Sequence, residues 1–244
     1  MSKGTVIIGN GASLRDFDFT KINREKYNVV GCCMAFRHWV EIDWYPDLYI
    51  NADDVVIQNP EVIDFIKMKK CKQYLVSHKL KDAWTEYPKD GSILFLQDLM
   101  MVPQSTFKYV RNWCSGSSCL ITAFDISVDI HILGMDCNYV EMIPECEELE
   151  DGTLKITKTP APGSNPNYFF DDYQRVGDIY NKPNGTTIHK RSWFEGRLIM
   201  EFLQQMYPEC KPRVTNYSLK EVSSIREFFD TKELADFKFD GMVE

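Results

Sequence analysis

Short apolar runs punctuate the chain at intervals. Thr5-Val6-Ile7-Ile8 ends at Gly9, and runs of the same kind lie at Asn28–Cys33, Pro46–Asn51, Cys71–Val76, Ser92–Leu96 and Asp129–Gly134, with a late one at Arg213–Asn216. Apolar runs this short, bounded by Gly, Pro, Asn or Asp, predict strands covered on both faces, as in a parallel sheet. Between them the period changes. In Pro60–Lys70, Val62, Ile63, Phe65 and Ile66 recur at helical spacing. Ser115–Ser127 predicts a helix opened by a Ser-Gly-Ser-Ser cap, and Arg191–Tyr207 an amphipathic helix carrying Trp193, Phe194, Leu198, Ile199, Phe202 and Leu203. Ser13 to Phe19 predicts a helix or loop. Alternating strands and helices predict the α/β class, a mainly parallel sheet with helices on both faces.

Two stretches break the alternation. Pro144 to Pro166 begins acidic (Glu145, Glu147, Glu148, Glu150, Asp151) and turns rich in Pro, Gly, Ser and Thr. It predicts a loop that either closes over a site or is a plain surface insertion. The tail after Ser223 is polar with a few Phe residues and predicts peripheral packing. A length of 244 residues suits one domain over 1–244, with 140–188 as a lid or insertion within it.

Composition narrows the partners. Thirty-six acidic against 28 basic residues give a net charge of −8, which argues against a nucleic-acid binder. A small anion remains compatible, because helix N-termini and backbone amides bind phosphate without net basic charge. The eight Cys show no CxxC spacing, several lie in apolar runs, and the chain begins without a signal peptide or transmembrane run. A reduced, cytoplasmic protein is the expectation.

Candidate chemistry falls at strand ends, where open α/β sheets bind ligands. The loop Gly9-Asn10-Gly11-Ala12-Ser13-Leu14 follows the first strand. Its glycines allow a sharp turn and close approach of amides to a phosphate, and Asn10 and Ser13 add side-chain donors. It lacks the third glycine of a dinucleotide fingerprint and the Gly-Lys-Ser/Thr of a P-loop. Asn51 ends the third strand and suits a pyrimidine, ribose or phosphate. Asp53 and Asp54 suit Mg²⁺ or Mn²⁺ on a diphosphate, or a helix cap. Cys114-Ser115-Gly116-Ser117-Ser118 forms either a second anion-accepting helix start or a tight cap; a nucleophilic Cys114 or Ser115 needs a positioned base, and none is adjacent. Asp136, in Gly134-Met135-Asp136-Cys137-Asn138-Tyr139, suits a ribose, base or acceptor hydroxyl, or caps a turn. His189 stands in a polar stretch before the last long helix and suits a general base for a sugar hydroxyl. His131 reads as structural, His38 as partly buried, His78 as a weaker alternative.

Taken in order, these pieces resemble the bacterial lipooligosaccharide sialyltransferases of glycosyltransferase family 42. They also resemble a wider group with a Gly-Asn-Gly-Pro-Ser-Leu opening, which includes motility accessory factors and pterin pyrophosphokinase-like proteins. The similarity runs from Val6 to about Asn216. It implies a Rossmann-like, GT-A-like fold with a lid-like loop. By resemblance Asn10 lies at the nucleotide phosphates, with Gly9, Gly11 and Ser13 in the same loop. Cys33 stands near a second family Asn, and Asn51 matches a third. Ser115 and Gly116 match a Thr-Ser-Gly that holds the sugar carboxylate, Cys114 replacing the Thr; the family's Arg has only Arg111 or Asn112 nearby. Asp136 matches a Gly-Ile-Asp-Phe-Tyr element, with Tyr139 one residue late. His189 matches the catalytic His ahead of a helix here reading Ile199-Met200-Glu201-Phe202-Leu203. Tyr168, in Asn167-Tyr168-Phe169, and Tyr173 are the candidates to assist the leaving group.

The resemblance implies an inverting transferase that moves sialic acid, or a related nonulosonate such as Kdo, from a CMP-activated donor to a glycan or lipid-linked acceptor. It implies no cofactor. A homo-oligomer and peripheral membrane contact are compatible with it. The alternatives are a Mg²⁺- or Mn²⁺-dependent pyrophosphokinase or nucleoside-diphosphate-sugar transferase using Asp53 and Asp54, and a non-catalytic nucleotide-binding protein.

Overall fold

The computed structural model describes residues 3–137, 145–182, 188–218 and 224–239. Tyr139 of the expected Asp136 element, and residues 140–144 and 183–187 of the expected insertion, lie outside them.

The strands are β1 (Gly4–Ile8), β2 (Tyr27–Cys32), β3 (Leu48–Asn51), β4 (Gln73–Val76), β5 (Ile93–Phe95), β6 (Asp129–Leu133), β7 (Cys146–Glu148), β8 (Thr153–Ile156), β9 (Ile179–Asn181), β10 (Arg213–Tyr217) and β11 (Asp230–Lys232). The helices are α1 (Phe36–Glu41), α2 (Pro60–Lys67), α3 (Leu80–Ala83), α4 (Leu96–Leu99), α5 (Ser115–Phe124) and α6 (Ile188–Met206). Eight strands form one sheet in the order β11-β10-β6-β1-β2-β3-β4-β5, every neighbouring pair parallel. The chain steps outward from β1 to β5, returns to the far side of β1 at β6, and steps outward again. The strand order therefore reverses between β1 and β6.

Alternate side chains feed two cores, as a sheet covered on both faces requires. On one face Val6, Ile8, Val29 and Tyr49 meet an aromatic layer that includes Phe19, Trp39, Trp44 and Phe65. On the other, Ile7, Val30, Ile50 and Ile132 pack under Cys119, Leu120 and Ile121 of α5 and Trp193, Ile199 and Met200 of α6. Among the described residues no helix is long and apolar enough to cross a membrane.

The stretch expected as a loop is partly regular. Strands β7, β8 and β9 form a small antiparallel sheet. A buried ion-pair network fastens it to the main body. Arg37 of α1 donates through Nη1 and Nη2 to the two carboxylate oxygens of Asp178, at 2.6 and 2.9 Å. It also donates to Glu61 of α2 (3.1 and 3.0 Å) and to the Tyr173 carbonyl (2.7 Å). Such a fork satisfies a guanidinium at nearly every donor, which a buried charge needs. The tail also departs from expectation. β11 extends the sheet, and Phe237 packs against Tyr27, His131 and Tyr217.

Candidate functional site

Loops from the ends of β1 and β6 meet where the strand order reverses. Gly9 and Gly11 donate their amides to the carbonyls of Leu133 and Gly134, at 2.7 and 2.8 Å. Ser13 donates its amide and its hydroxyl to the two oxygens of Asp136, at 2.9 and 2.5 Å. Gly134 has φ +68°, the left-handed region that glycine enters without cost, and a Cβ on Gly11 would lie 2.4 Å from the Asp136 carboxyl carbon. The glycines thus serve close packing between two loops. The amides of Gly9, Gly11 and Ser13 all donate within the protein. Asp136 is buried; burial pushes its carboxyl above the usual value and the two Ser13 bonds pull against this.

Above these loops lies a cavity of about 620 Å³. It is lined by Asn10, Gly11, Cys33, Asp53, Asp54, Ser115, Gly116, Asp136, Tyr168, Tyr173 and His189, so eleven of the expected site residues converge. Gly9, Ser13 and Asn51 do not line it. Asn51 is fully buried: its Nδ2 donates to the Tyr49 hydroxyl (3.1 Å) and its Oδ1 accepts from the Asp53 amide (3.2 Å), so both polar ends serve the turn after β3.

Asn10 reaches into the cavity wall. Its Nδ2 donates to the Tyr173 hydroxyl (3.1 Å), while its buried Oδ1 accepts no hydrogen bond among the described residues. Tyr173 and Tyr168 stack with centroids 3.7 Å apart and planes 11° from parallel. Burial raises both phenols well above their ordinary value, so they stand as neutral hydroxyls.

Asp53 Oδ1 accepts from the amides of Val55 (2.9 Å) and Val56 (3.0 Å) and from Asn181 Nδ2 (2.9 Å). These bonds close the turn that follows β3. Asp54 accepts the Ser77 hydroxyl. Among the described residues no three His, Cys, Asp or Glu side chains converge as a metal-binding group.

The start of α5 forms the next wall. Ser115 Oγ accepts from the Ala52 amide (3.0 Å), tying α5 to the end of β3. Cys33, with φ +55°, lines the cavity from the end of β2. Cys114 is the helix cap and also closes a capping box with Ser117. His189, from the first turn of α6, lines the same cavity as Cys114. Sequence adjacency offers Cys114 no base; the fold brings one from 75 residues away. Burial lowers the imidazole and the charge of Cys114 raises it, as does Asp53; the result is a His189 held above its ordinary value. Burial raises the Cys114 thiol, but His189 and the Ser117 bonds outweigh it and bring the thiol down to about 7.

Sequence reasoning passed over Trp113, Tyr180, Asn181, Lys182 and Trp193, which also line the cavity. Among the described residues Lys182 is the one Lys or Arg in the lining, and it pairs with Glu148 at 3.2 Å. Its position, two residues past the aromatic of a short exposed strand, carries no sequence signal. The remaining histidines lie elsewhere: His131 is buried between aromatic rings, His38 packs on Phe19, Phe169 and Phe170, and His78 pairs with Asp98 at 2.8 Å.

Among solved structures, the chain superposes on the α-2,3-sialyltransferase Cst-I of Campylobacter jejuni with a TM-score of 0.50 at 12% identity, covering 97% of this chain and 82% of that one. It superposes on a single-residue variant of the sialyltransferase CST-II, solved in complex with CMP, with a TM-score of 0.50 at 13% identity, covering 97% and 89%. The MAf glycosyltransferase of Magnetospirillum magneticum AMB-1 matches with a TM-score of 0.50 at 11% identity; 98% of this chain spans 35% of that one. No family model and no curated protein sequence matches the chain. The fold is that of the sialyltransferase-like glycosyltransferases: a Rossmann-like parallel sheet with its cavity at the carboxyl ends of the strands.

Proposed function

We propose that this chain is a metal-independent glycosyltransferase that takes sialic acid or a related nonulosonate such as Kdo from a CMP-activated donor and transfers it, with inversion, to a glycan or lipid-linked acceptor. The observation that carries this reading is the cavity at the strand-order reversal, which gathers the Asn10 loop, the Ser115–Gly116 helix start and His189 on a sialyltransferase-like fold. In this reading residues 1–244 act as one domain, and the segment 140–188 covers the cavity.

The residues divide the work. Asn10 and Gly11 flank the nucleotide phosphate. Ser115 and Gly116, at the positive end of α5, face the sugar carboxylate. Tyr168 and Tyr173, neutral donors, face the leaving phosphate, which lowers the barrier by stabilising charge as it develops. His189 takes the proton of the acceptor hydroxyl. CMP leaves as a monophosphate, so no cation is required. The three donors already held by Asp53 Oδ1 favour this over the Mg²⁺- or Mn²⁺-dependent alternatives.

The test is a thermal-shift panel of CMP, CDP, UDP, GDP and ATP with and without Mn²⁺ or Mg²⁺, followed by transfer assays. Ligand that binds only the folded chain raises the midpoint by mass action. A CMP shift without metal is expected, and His189→Ala lowers turnover by roughly 10²–10⁴-fold while CMP still binds. A shift that needs metal and a diphosphate or ATP would overturn the reading.

A further inference from the structure

Helix α6 carries apolar side chains on two faces. Trp193, Ile199 and Met200 pack into the core between α6 and the sheet. On the outer side Phe194, Leu198, Phe202 and Met206 follow at intervals of four, and all are exposed. Residues four apart on a helix lie one above another, so these four form one stripe. Tyr109 widens it, its ring 5.1 Å from that of Phe202, and Tyr207 continues it past the end of α6. Six of the fourteen large apolar side chains exposed among the described residues are therefore gathered in one place. A helix whose outer face meets only water carries polar residues there, and a contiguous apolar patch marks a contact with something else.

Charge identifies the occupant. Residues 106–112 and 188–207 hold Lys108, Arg111, Lys190, Arg191 and Arg197 against Glu195 and Glu201. Glu195 accepts the amides of Arg111 and Asn112, at 3.0 and 2.9 Å, and Glu201 accepts from Arg197 at 2.8 Å. The turn Ser224–Glu227 beside α6 adds Arg226 and Glu227, the latter paired with Lys190 at 2.7 Å. Exposed Arg191 stands three residues before Phe194, on the stripe itself. An excess of positive charge thus frames the stripe in a chain whose net charge is −8. We infer that the outer face of α6 docks on an anionic lipid bilayer, its apolar stripe entering the headgroup boundary and Arg191 with the neighbouring basic residues meeting lipid phosphates. Tyr109 and Tyr207, with apolar rings and polar tips, suit that boundary. A second copy of the chain fits less well, because a two-fold contact sets the same excess positive charge against itself. Phe194 lies five residues beyond His189, so a bilayer seated there lies beside the cavity that His189 lines. The inference rests on this face alone and holds whichever nucleotide the cavity takes.

The experiment sediments the full chain with vesicles of phosphatidylcholine alone and of phosphatidylcholine mixed equally with phosphatidylglycerol, at low and high salt. Binding to the mixed vesicles is expected to be roughly tenfold or more tighter than to the neutral ones, and to weaken as salt rises. Arg191→Gln should weaken it about fivefold. Leu198→Gln together with Phe202→Gln should weaken it on the order of tenfold. Met68→Gln, exposed just past α2 on the other face of the sheet, should bind like wild type. Unchanged thermal midpoints report that the variants fold, and the salt dependence of the unaltered chain stands without them. No binding, equal binding to both kinds of vesicle, or a double variant that binds like wild type overturns the inference. So does a dimer in sedimentation velocity that the double variant abolishes, which would assign the face to a second copy. Vesicle binding by a chain that CMP does not stabilise counts against the sugar-nucleotide reading and leaves this inference standing.

Discussion

Ser13 and Asp136 join the two halves of the sheet by a pair of hydrogen bonds across the point where the strand order reverses. The carboxylate is buried, so it depends on Ser13 for both of its partners among the described residues. Ser13→Ala keeps the amide bond and removes the hydroxyl. It is expected to cost about 1–3 kcal/mol, the penalty for a buried acceptor that loses a donor. Urea unfolding measures this; a midpoint unchanged from wild type would show the bond to be dispensable.

The Arg37–Asp178 fork is expected to be costlier to break. Arg37→Ala leaves Asp178 buried without its counter-charge, at about 3–5 kcal/mol. Restoring neutrality with Arg37→Met and Asp178→Asn together should recover part of the loss. If Arg37→Ala is no worse than Arg213→Ala, whose pair with Asp129 is largely exposed, the network carries no stability.

The same network sets an acid limit. Burial raises Asp178, but Arg37, the Arg175 amide and Asn59 outweigh it and hold its carboxyl below 3.8. Asp47 is held down in the same way by Lys72, the Val29 amide and Arg24. A carboxyl depressed on folding contributes stability above its unfolded value and loses it as pH falls through the folded one. Unfolding midpoints should therefore fall steadily below about pH 4. Asp125 and Asp136, raised by burial, act in the opposite sense and soften the slope. In Asp178→Asn the fall should be shallower; an identical slope would clear Asp178 of the effect.

Tyr173→Phe tests the wall around Asn10. It removes the nearer of two acceptors of the Asn10 amide, leaving Cys32 Sγ at 3.8 Å, and is expected to cost about 1 kcal/mol of stability. CMP affinity should drop with it, since the sulfur alone then orients the amide. Calorimetric titration decides this, and an unaltered affinity would remove the tyrosine from the orientation of Asn10.

Much of the sheet was legible because its strands are buried on both faces and end in Gly, Asn or Asp. That pattern marks β1 to β6 and β10, and the strand-end rule then points to Asn10 and Asp136, as the run of small residues ahead of α5 points to Ser115. What escaped has a physical reason in each case. Strands β7 and β9 expose two residues of three, so composition overrides periodicity there. Strand β11 reads Asp-Thr-Lys and is held by its pairing to β10 and the buried Phe229 and Phe237 beside it. Asn51 drew notice as a polar residue at a strand end, yet its amide is consumed by the turn it terminates. Arg37 with Asp178 and Cys114 with His189 are brought together from far apart in the chain, and neighbourhood along the sequence cannot pair them.

The position of β1 has a bearing on biosynthesis. It lies between β2, which follows it closely, and β6, whose first residue comes about 120 residues after Ile8. At roughly 5–20 residues per second, β1 waits on the order of 6–24 s at the ribosome with one edge unpaired. That edge belongs to a strand whose Val6, Ile7 and Ile8 are all apolar, and an open apolar edge recruits other chains. The nascent chain therefore passes through a window in which chaperone shielding matters most, and it closes only when Asp129–Leu133 emerges.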